Sequence, residues 1–311
     1  MRKVTTIKNI LIGITLCAVS LVLLSINSIS ISIETKSEST DNNFLDGCYH
    51  VYLDMGSHNG VQIRKLFEPE KYPLAKVIPI FNEYFGPIEE RRREYSDGRN
   101  VVCAVGFEPN FRHSKHLKVI ERKYVDCGWR VKFLTETAVS DRSGTDRFYT
   151  DGMKYDEVSA GILPPDIFTL HTEELNNRNS SKYITLIRLS EFLINVVGKR
   201  KLPLLSSKYH SPRVLIKMDI EGSEADVIPD LIFTGALQYI NLIMIEWHAR
   251  YEKLPARKNA HSILKKTMSL LTEYSSSMKE HGAKFDFNSM NVDDESYGKE
   301  SYSHEMPNCS I

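Results

Sequence analysis

Tyr49-His50-Val51-Tyr52-Leu53-Asp54-Met55-Gly56-Ser57-His58-Asn59-Gly60 is the stretch whose reading decides the fold. The apolar run 49–53 reads as a buried strand. Gly56 and Gly60 punctuate a turn, and residues 61–67 read as a short helix ending near Pro69. The same alternation continues outward. Residues 101–107 form a second apolar strand that ends in Glu108-Pro109-Asn110, and 114–124 read as a helix. A third strand spans 130–134, and 146–150 and 183–189 are short strands around a polar loop. Residues 214–218 form a buried-type strand ending in Asp219, followed by a helix over 223–231. The most apolar strand, 242–245, ends in Glu246-Trp247-His248. Helical periodicity runs over 260–278, and 283–287 suggests a terminal hairpin. Residues 68–100 exceed an ordinary connection and read as an insertion with some helix. Strands alternating with helices predict a Rossmann-like α/β fold, a mostly parallel sheet with helices on both faces.

Composition narrows the function classes. Forty basic side chains balance forty acidic ones in 311 residues, and 41% are hydrophobic. Such a chain is globular and lacks the basic excess that nucleic-acid binding requires. The run Arg91-Arg92-Arg93 reads as a solvated helix face. Residues 10–24 are uncharged and apolar, with weaker apolar character up to residue 33. Arg2, Lys3 and Lys8 precede this run, and Glu34, Lys36, Glu38 and Asp41 follow it. These features predict a cytoplasmic tail (1–8), a transmembrane signal-anchor (9–33), a stem (34–47) and one domain (48–311) facing the lumen of the ER or Golgi. The alternative is secretion after signal cleavage near Ser28-Ile29-Ser30. Asn179 and Asn308 begin glycosylation sequons usable in that topology.

In open α/β sheets ligands bind beyond the carboxyl ends of the strands. Those ends carry Asp54, Glu108, Asp219 and Glu246, four acidic groups on one rim. The first turn has two glycines, which let the backbone approach a ligand, rather than the three of a dinucleotide fingerprint. A carboxylate ending the second strand is placed to accept from both hydroxyls of an adenosine ribose. There is no phosphate loop. S-adenosylmethionine, with a ribose, a sulfonium cation and no phosphate, suits an acidic rim of this kind.

The motifs Asp54-Met55-Gly56-Ser57-His58-Asn59-Gly60, Gly106-Phe107-Glu108-Pro109, Thr137-Ala138-Val139-Ser140-Asp141 and Lys217-Met218-Asp219-Ile220-Glu221-Gly222-Ser223-Glu224 resemble those of the FkbM-type methyltransferases. The likeness runs in order over residues 49–248, and the fourth motif is the most specific. His58 stands where that family usually has Asn, and Arg188-Leu189-Ser190 replaces its usual Leu-Asp. The resemblance implies a methyltransferase fold, S-adenosylmethionine as donor, and transfer to the oxygen of a sugar or small-molecule hydroxyl. It assigns Asp54, Gly56, Gly60, Glu108, Ala138 and Asp219 to the donor.

Methylating a hydroxyl requires alignment and removal of its proton. Glu221, Glu246 and His248 are the candidate catalytic groups. Glu221 also reads as a first-turn helix acid, His248 as an ordinary core or loop histidine, and Glu224 as a surface helix residue. Asp219, Glu221 and Glu246 offer an alternative, a divalent cation site that activates the hydroxyl. The partners expected are a glycan or small-molecule acceptor and the membrane, with no nucleic acid. A non-catalytic binding protein on the same fold and, more remotely, a luminal glycosyltransferase are the competing classes. Cys48, Cys103, Cys127 and Cys309 permit two disulfides, and neighbouring parallel strands suggest Cys103–Cys127 with Cys48–Cys309 left over.

Overall fold

A computed structural model of the protein describes residues 43–93, 100–149, 181–203, 211–248 and 259–292. Its centre is a six-stranded, wholly parallel sheet in the order β3-β2-β1-β7-β8-β9. The strands are β1 (Cys48–Met55), β2 (Asn100–Glu108), β3 (Arg130–Thr135), β7 (Val214–Met218), β8 (Leu242–Ile245) and β9 (Asn288–Asn291). A smaller sheet, β4-β6-β5, intervenes in the sequence, with β4 at Thr137–Ser140, β5 at Gly144–Tyr149 and β6 at Ser181–Arg188.

Side chains alternate across each strand, so the continuous apolar runs of β1, β2, β7 and β8 feed two cores. Val51, Leu53, Met55, Val105, Phe107, Ile216 and Ile243 face one core. There they meet α6 (Glu224–Phe233) through Val227 and Ile228, and α7 (Ala260–Glu280) through Leu264 and Met268. Tyr52, Ala104, Leu215 and Met244 face the other. They pack with α1 (Val61–Phe67) and with α4 (Ser114–Asp126) through Leu117, Ile120 and Tyr124. This is the expected layered α/β architecture.

Residues 68–93 of the insertion pack on the sheet. Its helix α2 (Val77–Phe85) buries Val77, Phe81 and Phe85 in the second core, and α3 (Ile88–Arg91) follows it. The arginine run is therefore not a solvated face. Arg91 is buried over the Phe81 ring. Arg92 lies over Trp129 and donates to the Phe67 carbonyl. Packing of the insertion on the sheet overrides the charge pattern.

Two further expectations are corrected. Residues 283–287 are not the strand of a terminal hairpin; they lead into β9, which pairs parallel to β8 with Asn288 opposite Leu242, and the polar residues after 292 lie outside the described residues. The disulfide is Cys48–Cys103, with Cα atoms 5.7 Å apart, so neither Cys103–Cys127 nor Cys48–Cys309 forms. The reason is the face on which each cysteine lies. Cys48 and Cys103 project from β1 and β2 into the first core. Cys127 caps α4 on the opposite face and packs against the second core; it is disulfide-bonded itself. Cys309, Asn179 and Asn308 lie outside the described residues. So do residues 1–42, which hold the expected anchor; among the described residues no helix is long and apolar enough to cross a membrane.

Candidate active site

The sheet order sets β2, β1, β7 and β8 side by side, and parallel strands put all their carboxyl ends on one edge. The turn after β1 is stitched between its neighbours. The Gly56 and Ser57 amides donate to the Phe107 carbonyl at 3.0 Å each, and the Asp219 amide donates to the Met55 carbonyl at 3.0 Å. Gly56 has φ +83°, and a Cβ there would meet the Asp219 carbonyl oxygen at 2.0 Å. Only glycine fits, because the two chain segments touch at backbone distance. His58 also takes a left-handed conformation, with φ 49°, which His and Asn tolerate better than most residues.

Glu108 ends β2 and is buried. One carboxylate oxygen accepts the His58 amide at 2.5 Å, and the other accepts the Asn110 amide at 2.7 Å. The first turn and the end of β2 are thereby clamped together. Burial, reinforced by the charges of Asp54 and Asp219, pushes the Glu108 carboxyl up to about 8 despite these two donors.

Asp54 and Lys217 sit opposite each other in the β1–β7 register, on the face shared with Tyr52 and Leu215. Asp54 is fully buried, and neither of its carboxylate oxygens has a hydrogen-bond partner among the described residues. Burial raises its carboxyl to about 6, opposed chiefly by the Lys217 charge. Burial by itself would depress the Lys217 ammonium, but Asp219, Asp54 and Glu246 outweigh it and hold the lysine charged. Its Nζ donates to Asp219 Oδ2 at 2.5 Å and lies 3.6 Å from Glu246 Oε2.

His248, just past β8, is ringed by four carboxylates. Nδ1 is 2.9 Å from Glu224 Oε1. Nε2 is 3.4 Å from Asp219 Oδ1, 3.6 Å from Glu221 Oε2 and 3.9 Å from Glu246 Oε1. Burial would lower the imidazole, but the bond to Glu224 and the charges of Glu224, Glu221 and Asp219 raise it to about 9. Glu221 adopts φ 54°, which turns the chain sharply between β7 and α6. Asp219, Glu221 and His248 present three ligand atoms within 4.8 Å of one another, so the grouping suited to a cation contains His248 where the sequence suggested Glu246.

The structure thus brings Asp54, Gly56, Glu108, Asp219, Glu221, Glu246 and His248 to one edge. Gly60, with φ +81°, opens α1 and packs on Leu117 and Phe133. Ala138 is not among this group: it is buried on β4 in an apolar cluster with Phe148, Ile184 and Leu186. Glu224 is no surface residue. It is fully buried on the first turn of α6 and accepts from the Ile220 amide as well as binding His248. Lys217 is the other residue the structure adds to the site; a lysine inside an apolar strand is the signal that marks it. Beside the edge, a groove of about 340 Å³ runs between α7 and the ends of β8 and β9, lined by Ile245, Trp247, Met268, Thr272, Ser289 and Asn291.

In comparison with known families, residues 54–285, more than half of the chain, match the model of the methyltransferase FkbM domain. No curated protein and no solved structure matches.

Proposed function

Because the chain belongs to the FkbM methyltransferase domain family, we propose that it uses S-adenosylmethionine to methylate a hydroxyl on a sugar or small molecule, the donor lying across the carboxyl ends of β2, β1 and β7. The observation that carries this reading is the joining of Glu108, the first turn and Asp219 at backbone distance. The residues present fit the donor. The Gly56 turn offers close backbone approach, Glu108 keeps lone pairs for ribose hydroxyls, and the carboxylates of the edge favour a cation.

When bound, S-adenosylmethionine supplies an electrophilic methyl on positively charged sulfur. The chain's own residues have the remaining tasks. Glu108 and the first turn bind and orient; Asp54 and Lys217, buried beneath, fix the spacing of β1 and β7. The acceptor proton passes to a carboxylate of the edge, Glu246. The acceptor enters from the groove beside Trp247.

The same proposal places the domain in the lumen of the secretory pathway, held by the apolar segment 9–33, with glycans or small molecules as acceptors. Incubating the full chain with methyl-labelled S-adenosylmethionine and a panel of glycans, lipids and small alcohols tests the activity. Label transferred to a hydroxyl supports it. Donor binding without transfer to any acceptor favours a binding protein on the same fold.

A further inference from the structure

We propose that Asp219, Glu221 and His248 form a divalent-cation site, with Glu224 as the residue that orients the histidine. Its catalytic role rests on the methyl-transfer reading, but its existence does not.

The donor set is the first argument. Two carboxylate oxygens and an imidazole nitrogen converge from three places in the chain: the end of β7, the turn at Glu221, and the segment after β8. Their spacing suits a shared ion better than direct pairing. Charge-assisted hydrogen bonds run about 2.7–2.9 Å, whereas Nε2 stands 3.4 Å from Asp219 and 3.6 Å from Glu221. With metal–ligand distances of about 2.0–2.2 Å, neighbouring donors lie roughly 3.0 Å apart around an octahedral ion and 3.4 Å around a tetrahedral one.

Glu224 is the second and independent argument. It is fully buried, and its Oε1 lies 2.9 Å from His248 Nδ1 while Oε2 has no hydrogen-bond partner among the described residues. A buried carboxylate holding one ring nitrogen fixes the tautomer that turns the other nitrogen's lone pair outward, the arrangement found behind metal-ligating histidines. Here the outward nitrogen is Nε2, which faces Asp219 and Glu221. An imidazole with two carboxylates selects first-row ions such as Mn²⁺ or Zn²⁺ over Mg²⁺. Glu246, whose Oε2 lies 3.6 Å from Lys217 Nζ, stays outside the trio and remains available to take the acceptor proton.

The test titrates Mn²⁺ into the full chain, purified in detergent and stripped with chelator, by calorimetry, with S-adenosylmethionine binding measured on the same samples. One saturable Mn²⁺ per chain is expected, with Mg²⁺ at least tenfold weaker. His248→Ala and Glu221→Gln should weaken Mn²⁺ at least tenfold. Glu224→Ala should weaken it ten- to a hundredfold, as loss of an orienting partner does. Glu224→Gln, whose amide oxygen can still accept from Nδ1, should restore most of it. Retained donor binding in a variant shows that it has folded. Wild-type chain that binds donor but no Mn²⁺ overturns the site, as does Mn²⁺ binding indifferent to His248 and Glu224 in variants that bind donor. Mn²⁺ binding without donor binding leaves the site standing and overturns the methyl-transfer reading.

Discussion

Gly56 rests against Asp219 so closely that a methyl group on its Cα would meet the Asp219 carbonyl oxygen at 2.0 Å. The first turn and the end of β7 are thus a single unit. Gly56→Ala should cost about 2 kcal/mol or more, from left-handed strain together with the clash, and should abolish donor binding. Thermal melting and calorimetry with S-adenosylmethionine read both effects; an unchanged melting temperature and affinity would sink the assignment.

Glu108 gives donor binding a pH dependence of defined sign. Its carboxyl sits near 8 in the empty fold, and ribose hydroxyls donate best to the ionised form. Affinity should therefore rise with pH, by roughly tenfold or more between pH 6.5 and 8.5, and level off above. Glu108→Gln should flatten that slope. For the empty protein the sign reverses. A raised carboxyl favours the fold while neutral, so this contribution is lost as pH climbs from the ordinary Glu range through 8.

Lys217 is the buried cation on which Asp54 and Asp219 depend. Lys217→Met leaves both carboxylates without it and should destabilise by about 3–5 kcal/mol. Urea unfolding at neutral pH measures the loss, and stability equal to wild type would contradict the pairing.

The Cys48–Cys103 bridge closes a sequence separation of 55 residues, and a loop of that size corresponds to about 2–4 kcal/mol. Cys48→Ser with Cys103→Ser should lose stability of that order and leave donor affinity within about twofold, because both cysteines lie in the early part of their strands. Peptide mapping without reductant should recover the linked pair; free thiols at both positions would refute it.

The proposed topology predicts that protease added to sealed microsomes spares the domain beginning near residue 48. Digestion there without detergent would place it on the cytoplasmic side.

The sequence made the sheet legible because its buried strands are nearly continuous apolar runs: 214–218 and 242–245 were delimited to the residue. The acidic edge followed from the strand ends. What escaped depended on the far partner of a side chain. Glu224 has the spacing of any helical surface acid, and only the return of the chain at His248 makes it interior. Arg91 looked solvated because nothing local announces Phe81 beneath it. The cysteine pairing turned on which face each side chain takes: neighbouring strands are close enough for a bridge, but Cys127 closes a helix on the other face. Parallel β9 escaped because its four residues, Asn-Ser-Met-Asn, carry no strand signature of their own.

The bridge between Cys48 and Cys103 joins the two strands that carry Asp54 and Glu108 toward their other ends. Those strands are the paired arms on which the proposed donor crevice opens, and the covalent tie is at their root. A chain folded where thiols stay reduced has the same arms without the tie. Material from a reducing bacterial cytoplasm and material from an oxidising secretory route are then two preparations of one sequence, and they will differ most under heat or denaturant. For recombinant work the oxidation state at this root is a property to assay before any comparison of turnover is drawn.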